Sequence, residues 1–229
     1  MRYIIILTLN LFLSIMKISG QQTNHSFDGV NYLLYLPDGY SSDDKEWPLL
    51  LFLHGSGERG TDLELVKRHG PPKLIEEGKQ FPFIVVSPQC PAGKRWSVDM
   101  LMNFTNYLLS AYSVDKNRVY LTGLSMGGQG TWSFGTAHPD IFAALVPICG
   151  RTEPEKAEAL KEMPIWVFHG AKDDVISIKY SEDMVNALKK YDAPVKFTIY
   201  PESGHDSWTE TYSNQEVFKW LLKQHRETK

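Results

Sequence analysis

Three residues in this 229-residue chain have the types and spacing that nucleophilic catalysis needs. The first is Ser125, in Gly123-Leu124-Ser125-Met126-Gly127-Gly128, directly after the apolar run Arg118–Thr122 and before a helical stretch. In G-x-S-x-G between a strand and a helix, a sharp turn holds the serine in a strained backbone conformation and exposes its hydroxyl. Bulky side chains two residues to either side would collide with the neighbouring strand and helix. A helix opening at Met126 also turns its positive end toward that hydroxyl. Taken alone, the motif fits a Gly-rich helix-capping turn as well, so its partners decide.

The second residue is His205, in Tyr200-Pro201-Glu202-Ser203-Gly204-His205-Asp206, after the last apolar run. A histidine on such a loop is free to reach sideways to a serine. The other six have plainer readings: His25 and His225 lie near the ends, and His69 and His138 in turn-like segments. His54 and His169 each precede a glycine at a strand end, where an imidazole bonds the neighbouring loop. The third residue is Asp173, in His169-Gly170-Ala171-Lys172-Asp173-Asp174, with Asp174 as its solvated or loop-capping neighbour. A buried carboxylate fixes the imidazole tautomer and stabilises the imidazolium formed during attack. Developing charge on a carbonyl oxygen needs donors too. Leu49–Leu53 runs into His54-Gly55-Ser56-Gly57, so the N–H groups of Ser56 (or Gly57) and Met126 are the candidate oxyanion hole.

These residues require a scaffold that brings strand ends together. Asn31–Leu36, Leu49–Leu53, Phe83–Ser87, Arg118–Thr122, Ala144–Ile148, Ile165–Phe168 and Val195–Tyr200 read as strands, several as continuous apolar runs buried on both faces. Helical stretches fall at Val98–Tyr112, Met126–Ala137, Ile178–Lys190 and Asn214–Gln224. The alternation predicts an α/β fold with a mostly parallel sheet covered on both faces, and an N-terminal strand or two as an antiparallel edge. Parallel sheets place their chemistry at the carboxyl ends of strands, where all three residues lie.

Other chemistries are disfavoured. Gly55-Ser56-Gly57-Glu58-Arg59-Gly60 has dinucleotide-binding spacing, but the next strand ends in Pro88-Gln89 where a ribose-binding acid belongs. Gly123–Gly130 lacks the Lys-Ser/Thr pair of a phosphate loop. No His-Glu-x-x-His or paired Cys-x-x-Cys points to a metal; no cofactor is expected. Met1-Arg2, the apolar stretch Tyr3–Met16 and the small pair Ser19-Gly20 predict a secretory signal peptide over residues 1–20, with the catalytic domain over 21–229. Its loss removes Arg2 and Lys17 and no acid, moving the net charge from −3 to −5. An acidic surface argues against nucleic acid as a partner, and no membrane span is expected in the exported form. Cys90 and Cys149 offer one disulfide in an oxidising compartment, which the sequence does not decide.

Together the stretches His54–Gly60, Ser87-Pro88-Gln89-Cys90, Gly123–Gly128, His169–Asp174 and Gly204-His205-Asp206-Ser207-Trp208 resemble the α/β-hydrolase serine esterases. Within them the likeness is to the phospholipase/carboxylesterase, dienelactone-hydrolase-like group, which includes feruloyl-esterase-like and polyhydroxybutyrate-depolymerase-like members. The resemblance implies cleavage of carboxylic esters through an acyl-enzyme; an open groove and the secretion signal point to small or polysaccharide-linked substrates, acetyl or feruloyl esters on carbohydrate. Thioester or peptide cleavage on the same triad is the alternative, and a non-catalytic binding protein a more distant one. The connection Cys149–Pro164 leaves no room for a cap domain, so an open groove is expected. Trp96, Trp208 and Gly57 stand on loops at that end as candidate substrate contacts. Each tryptophan has two readings, a platform for an aromatic or sugar ring or an anchor for its own loop.

Overall fold

The computed structural model describes residues 20–42 and 45–226. Apart from Gly20, the expected signal peptide lies outside the described residues. Among those that are described, no helix is long and apolar enough to cross a membrane.

The strands are β1 (Gln22–Phe27), β2 (Val30–Tyr35), β3 (Trp47–Leu53), β4 (Ile84–Pro88), β5 (Val114–Leu124), β6 (Ala144–Ile148), β7 (Ile165–Gly170) and β8 (Val195–Tyr200). They form one sheet in the order β1-β2-β4-β3-β5-β6-β7-β8. β1 and β2 pair antiparallel and β2 runs antiparallel to β4, while β4 through β8 are parallel. The helices are α1 (Gly70–Glu76), α2 (Val98–Ala111), α3 (Met126–Ala137), α4 (Lys179–Lys189), α5 (Trp208–Ser213) and α6 (Gln215–Leu222).

Successive residues of β3 show why the apolar runs must be strands. Leu49, Leu51 and Leu53 enter the core beneath α2, α3 and α4 with Phe104, Trp132 and Leu188. Leu50 and Phe52 enter the opposite core with Ile75 of α1, Tyr212 of α5 and Phe218 of α6. All seven residues of β3 are buried, as expected for a parallel strand covered on both faces. β1 is the element that sequence reading missed as a strand. Its residues, QTNHSF, are mostly polar and half-exposed to exposed, so a strand whose one apolar residue, Phe27, stacks on Tyr107 carries no alternating apolar signal.

Chain direction across the sheet reverses between β3 and β5: β4 follows β3 on one side, and β5 to β8 build outward on the other. Such a switch point opens a crevice at the carboxyl ends of the two strands. The loop after β3 and the loop after β5 therefore face one another there.

Candidate active site

Ser125 occupies the turn from β5 into α3 with φ 53° and ψ −113°, a conformation that L-residues rarely adopt. The turn is this tight because α3 is pressed against two strand ends. A Cβ added at Gly127 would lie 1.9 Å from the carbonyl oxygen of Leu53, and one at Gly128 would lie 2.3 Å from that of Ile148. At Gly123 it would meet the Gly127 carbonyl at 2.4 Å. The Ser125 N–H donates to Ile148 O at 3.0 Å, tying the turn to β6. The strain is thus held in place by backbone contacts on both sides.

The Ser125 hydroxyl donates to His205 Nε2 at 2.9 Å, and His205 Nδ1 donates to Asp173 Oδ2 at 2.8 Å. The Asp173 side chain is fully buried. Its Oδ1 accepts the N–H groups of Val175 and Ile176, each at 2.9 Å, and its Oδ2 also faces His169 Nε2 at 3.1 Å. Burial works to raise the carboxyl's proton affinity, but the bonds from His205 and the two N–H groups outweigh it and hold the group below the usual carboxylate range. Asp173 stays ionised and acceptor-only, which fixes the proton of His205 on Nδ1 and leaves Nε2 free to accept. Asp174 is exposed.

A second imidazole stands behind the acid. His169 is fully buried; its Nε2 donates to Ile176 O at 2.9 Å and its Nδ1 accepts from the Ser181 hydroxyl at 2.8 Å. Burial lowers its proton affinity, so it is a neutral clamp on the acid loop. His54 does the same for the loop after β3. Its Nε2 accepts the Cys90 N–H at 2.9 Å, which puts the proton on Nδ1, and Nδ1 donates to Gly55 O at 2.6 Å.

The acid and base loops touch backbone to backbone. The N–H of Ala171 donates to Tyr200 O at 2.9 Å and that of Lys172 to Ser203 O at 3.0 Å. A Cβ at Gly170 would sit 2.2 Å from Gly204 O.

Ser125 opens into a cavity of ≈ 300 Å³ that Ser56 and Met126 also line. Met126 holds the first position of α3, where an N–H has no acceptor within the helix. A substrate carbonyl seated over Ser125 would meet that donor and the loop of Ser56. The arrangement can accept a proton from a serine hydroxyl, hold an oxyanion and return the proton to a leaving group.

The sequence profile of the dienelactone hydrolase family matches residues 92–219, more than half of the chain. The chain belongs to the dienelactone hydrolase family. A thermostable esterase of known crystal structure is 34% identical to it, with a TM-score of 0.80 over 91% of this chain and 64% of that chain. The bifunctional acetylxylan esterase/xylanase XynS20E of Neocallimastix patriciarum is 29% identical over 170 residues, 71% of this chain. The chain spans only 24% of that relative's length. A ferulic acid esterase structure, 17% identical, superposes with a TM-score of 0.66 over 87% of this chain and 97% of that chain, a likeness of fold.

In this dienelactone hydrolase family member, Trp96 needs correction as a substrate platform. Trp96 is 9% exposed, part of the core under α3, and its Nε1 donates to His54 O at 3.1 Å. It anchors its loop, and Gly130 leaves only 3.0 Å for a Cβ beside its ring. Trp208 is half-buried between His69 and His205, and neither ring lines the cavity. Gly57 is exposed, and a Cβ there would meet nothing within 4 Å, so close approach does not demand a glycine. What does line the cavity and was not foreseen is Arg59, Arg95, Gln129, Arg151, Val175 and Ile176. Arg59 stands inside the Gly-rich loop motif and Arg95 just before Trp96, but a lone arginine in a loop gives no sign of where it points. Cys90 and Cys149 are both buried free thiols. Cys149, at φ 41°, lies against the triad, and burial pushes its thiol up to about 12.

Proposed function

We propose that the protein hydrolyses carboxylic esters through an acyl-enzyme on Ser125. The observation that carries this reading is the continuous hydrogen-bonded row from Ser125 through His205 to Asp173 at a strained turn. Ser125 Oγ attacks the ester carbonyl while His205 Nε2 takes its proton. The N–H groups of Met126 and Ser56 hold the oxyanion. Collapse expels the alcohol, protonated by His205; a water then enters, gives its proton to the same nitrogen and releases the acid.

The substrate proposed is an acetyl or feruloyl ester on a polysaccharide. Relatives named as acetylxylan esterases support the acyl group. The connection from β6 to β7 carries a short 3-10 helix, Pro154–Leu160, and Val175 beside the cavity is 60% exposed, which suits a bulky carrier. The signal-peptide pattern of residues 1–20 supports export to where such polymers are found.

Purified protein should hydrolyse p-nitrophenyl acetate, take up a fluorophosphonate on Ser125 and release acetate or ferulate from decorated xylan. Ser125→Ala turning over the chromogenic ester at the wild-type rate would end the mechanism. Simple esters cleaved without any release from xylan would leave the mechanism and remove xylan as the carrier.

A further inference from the structure

The cavity wall carries charge that ester cleavage does not itself require. Arg59, Arg95 and Arg151 all line the cavity around Ser125, and among the described residues no aspartate or glutamate does, although the chain as a whole has a net charge of −3. None of the three forms an ion pair among the described residues. Arg59 donates from Nε to Ser56 O (2.9 Å) and from Nη1 to Lys94 O (3.2 Å). Arg95 Nη1 donates to Gln129 Oε1 (3.0 Å), and the Arg151 guanidinium lies 5.7 Å above the Tyr180 ring. Most of their N–H donors are left for something else. Three cations sharing one cleft repel one another, and low-dielectric walls focus their field on any anion that enters.

A second cavity of ≈ 230 Å³ adjoins the first and shares Gln129 and Arg151 with it. Ser133, Thr136 and Thr152 contribute hydroxyls there, and its single acid, Glu153, is paired with Lys156. Arg151 therefore lines both spaces, one holding the nucleophile and one lined by hydroxyls and the Tyr180 ring. Hydroxyl and aromatic walls suit a sugar chain, and a guanidinium fork matches a carboxylate in both spacing and charge.

We propose that the substrate is an acylated acidic oligosaccharide, whose uronate carboxylates are held by Arg95 and Arg151 while its acyl ester lies over Ser125. This rests on the ester-hydrolysing reading above and names its substrate class. Arg59 is excluded from the test, because its bond to Ser56 O supports the oxyanion loop.

Binding separates recognition from chemistry. Ser125→Ala protein is titrated calorimetrically with trigalacturonate and with neutral xylotriose, and wild-type acetate release is measured on the acetylated form of each. Trigalacturonate is expected to bind at least about tenfold tighter at low salt and to lose that margin at high salt. Arg95→Gln or Arg151→Gln, both exposed in the fold, should each reduce the margin by about tenfold, the size of one partly exposed charge-assisted hydrogen bond. Equal affinity for the two sugars, or a margin untouched by both substitutions, overturns the proposal. Preferential binding with no turnover of either acetylated sugar or of p-nitrophenyl acetate would refute ester hydrolysis and leave the acidic-sugar site standing.

Discussion

The indole of Trp208 stands edge-on to the imidazole of His205, with ring centroids 5.2 Å apart and planes at 87°. His69 packs against the same indole at 5.5 Å. Trp208 thus adds a ring contact to the base beside its bonds to Ser125 and Asp173. Such edge-to-face pairs contribute about 0.5–1.5 kcal/mol. Trp208→Ala should cut kcat by roughly three- to tenfold, and Trp208→Phe should restore most of it. Steady-state kinetics on p-nitrophenyl acetate decide this; an effect confined to KM would mean that the indole touches substrate.

Stability should fall on mild acidification, and His54 is the main cause. Burial first, with the Arg59 charge adding to it and the bond to Gly55 O opposing, lowers its imidazole from 6.5 to about 4. Between those values the unfolded chain binds a proton that the folded chain refuses, so stability declines as pH drops from about 6.5 to 4 and then levels off. The loss is on the order of 3 kcal/mol. His169, also lowered by burial, acts with the same sign. Asp173 acts in a lower window: its depressed carboxyl stabilises the fold above the ordinary carboxylate range, and that contribution goes as pH falls through the folded value. Urea midpoints at pH 7, 5.5 and 4.5 should decrease in that order; a flat series would contradict the buried neutral imidazole.

Two glycines in the site loops should respond oppositely to alanine. At Gly127 the added methyl lands 1.9 Å from Leu53 O, and the fixed strand end cannot yield. Gly127→Ala should cost more than about 4 kcal/mol or prevent folding. Gly57→Ala meets open space and should lie within about 0.5 kcal/mol of wild type. Thermal melts of the pair provide the check.

Neither thiol should react in the folded protein. Cys90 is fully buried, Cys149 is 1% exposed, and burial raises both thiols. Reaction with Ellman's reagent should be negligible until denaturant is added, when two thiols appear. A thiol titrating in the native state would show that the wall behind the triad opens.

The readable part of this molecule was the part with few physical solutions. Met126–Ala137 and Ala144–Ile148 match the observed α3 and β6 to the residue: the Gly-rich turn opens α3, Pro139 closes it, and the apolar run of β6 ends at Cys149-Gly150. Ser125, Asp173 and His205 were legible because each follows an apolar strand run at the same end of one sheet. β1 and α1 were not: β1 is polar, and α1 opens on Gly70-Pro71-Pro72, which reads as a turn. Trp96 shows a limit of another kind. A tryptophan in a loop looks exposed until the glycine that accommodates its ring, Gly130, proves to come from a helix far along the chain.

Asp173 and His205 travel together, because the clasp between Gly170 and Gly204 makes the loops of β7 and β8 a single piece. Ser125 belongs to a different piece, locked to β3 and β6 near the centre. Alignment of the row therefore reduces to one coordinate, the seating of the outermost two strands against the rest. Among the described residues β8 has a neighbour on one side only, and margins of a sheet loosen before its middle. Warming should thus uncouple Ser125 from His205, its proton-transfer partner, while far-UV dichroism is still native. The enzyme would go silent reversibly below its melting temperature, with its nucleophile intact and merely out of gear.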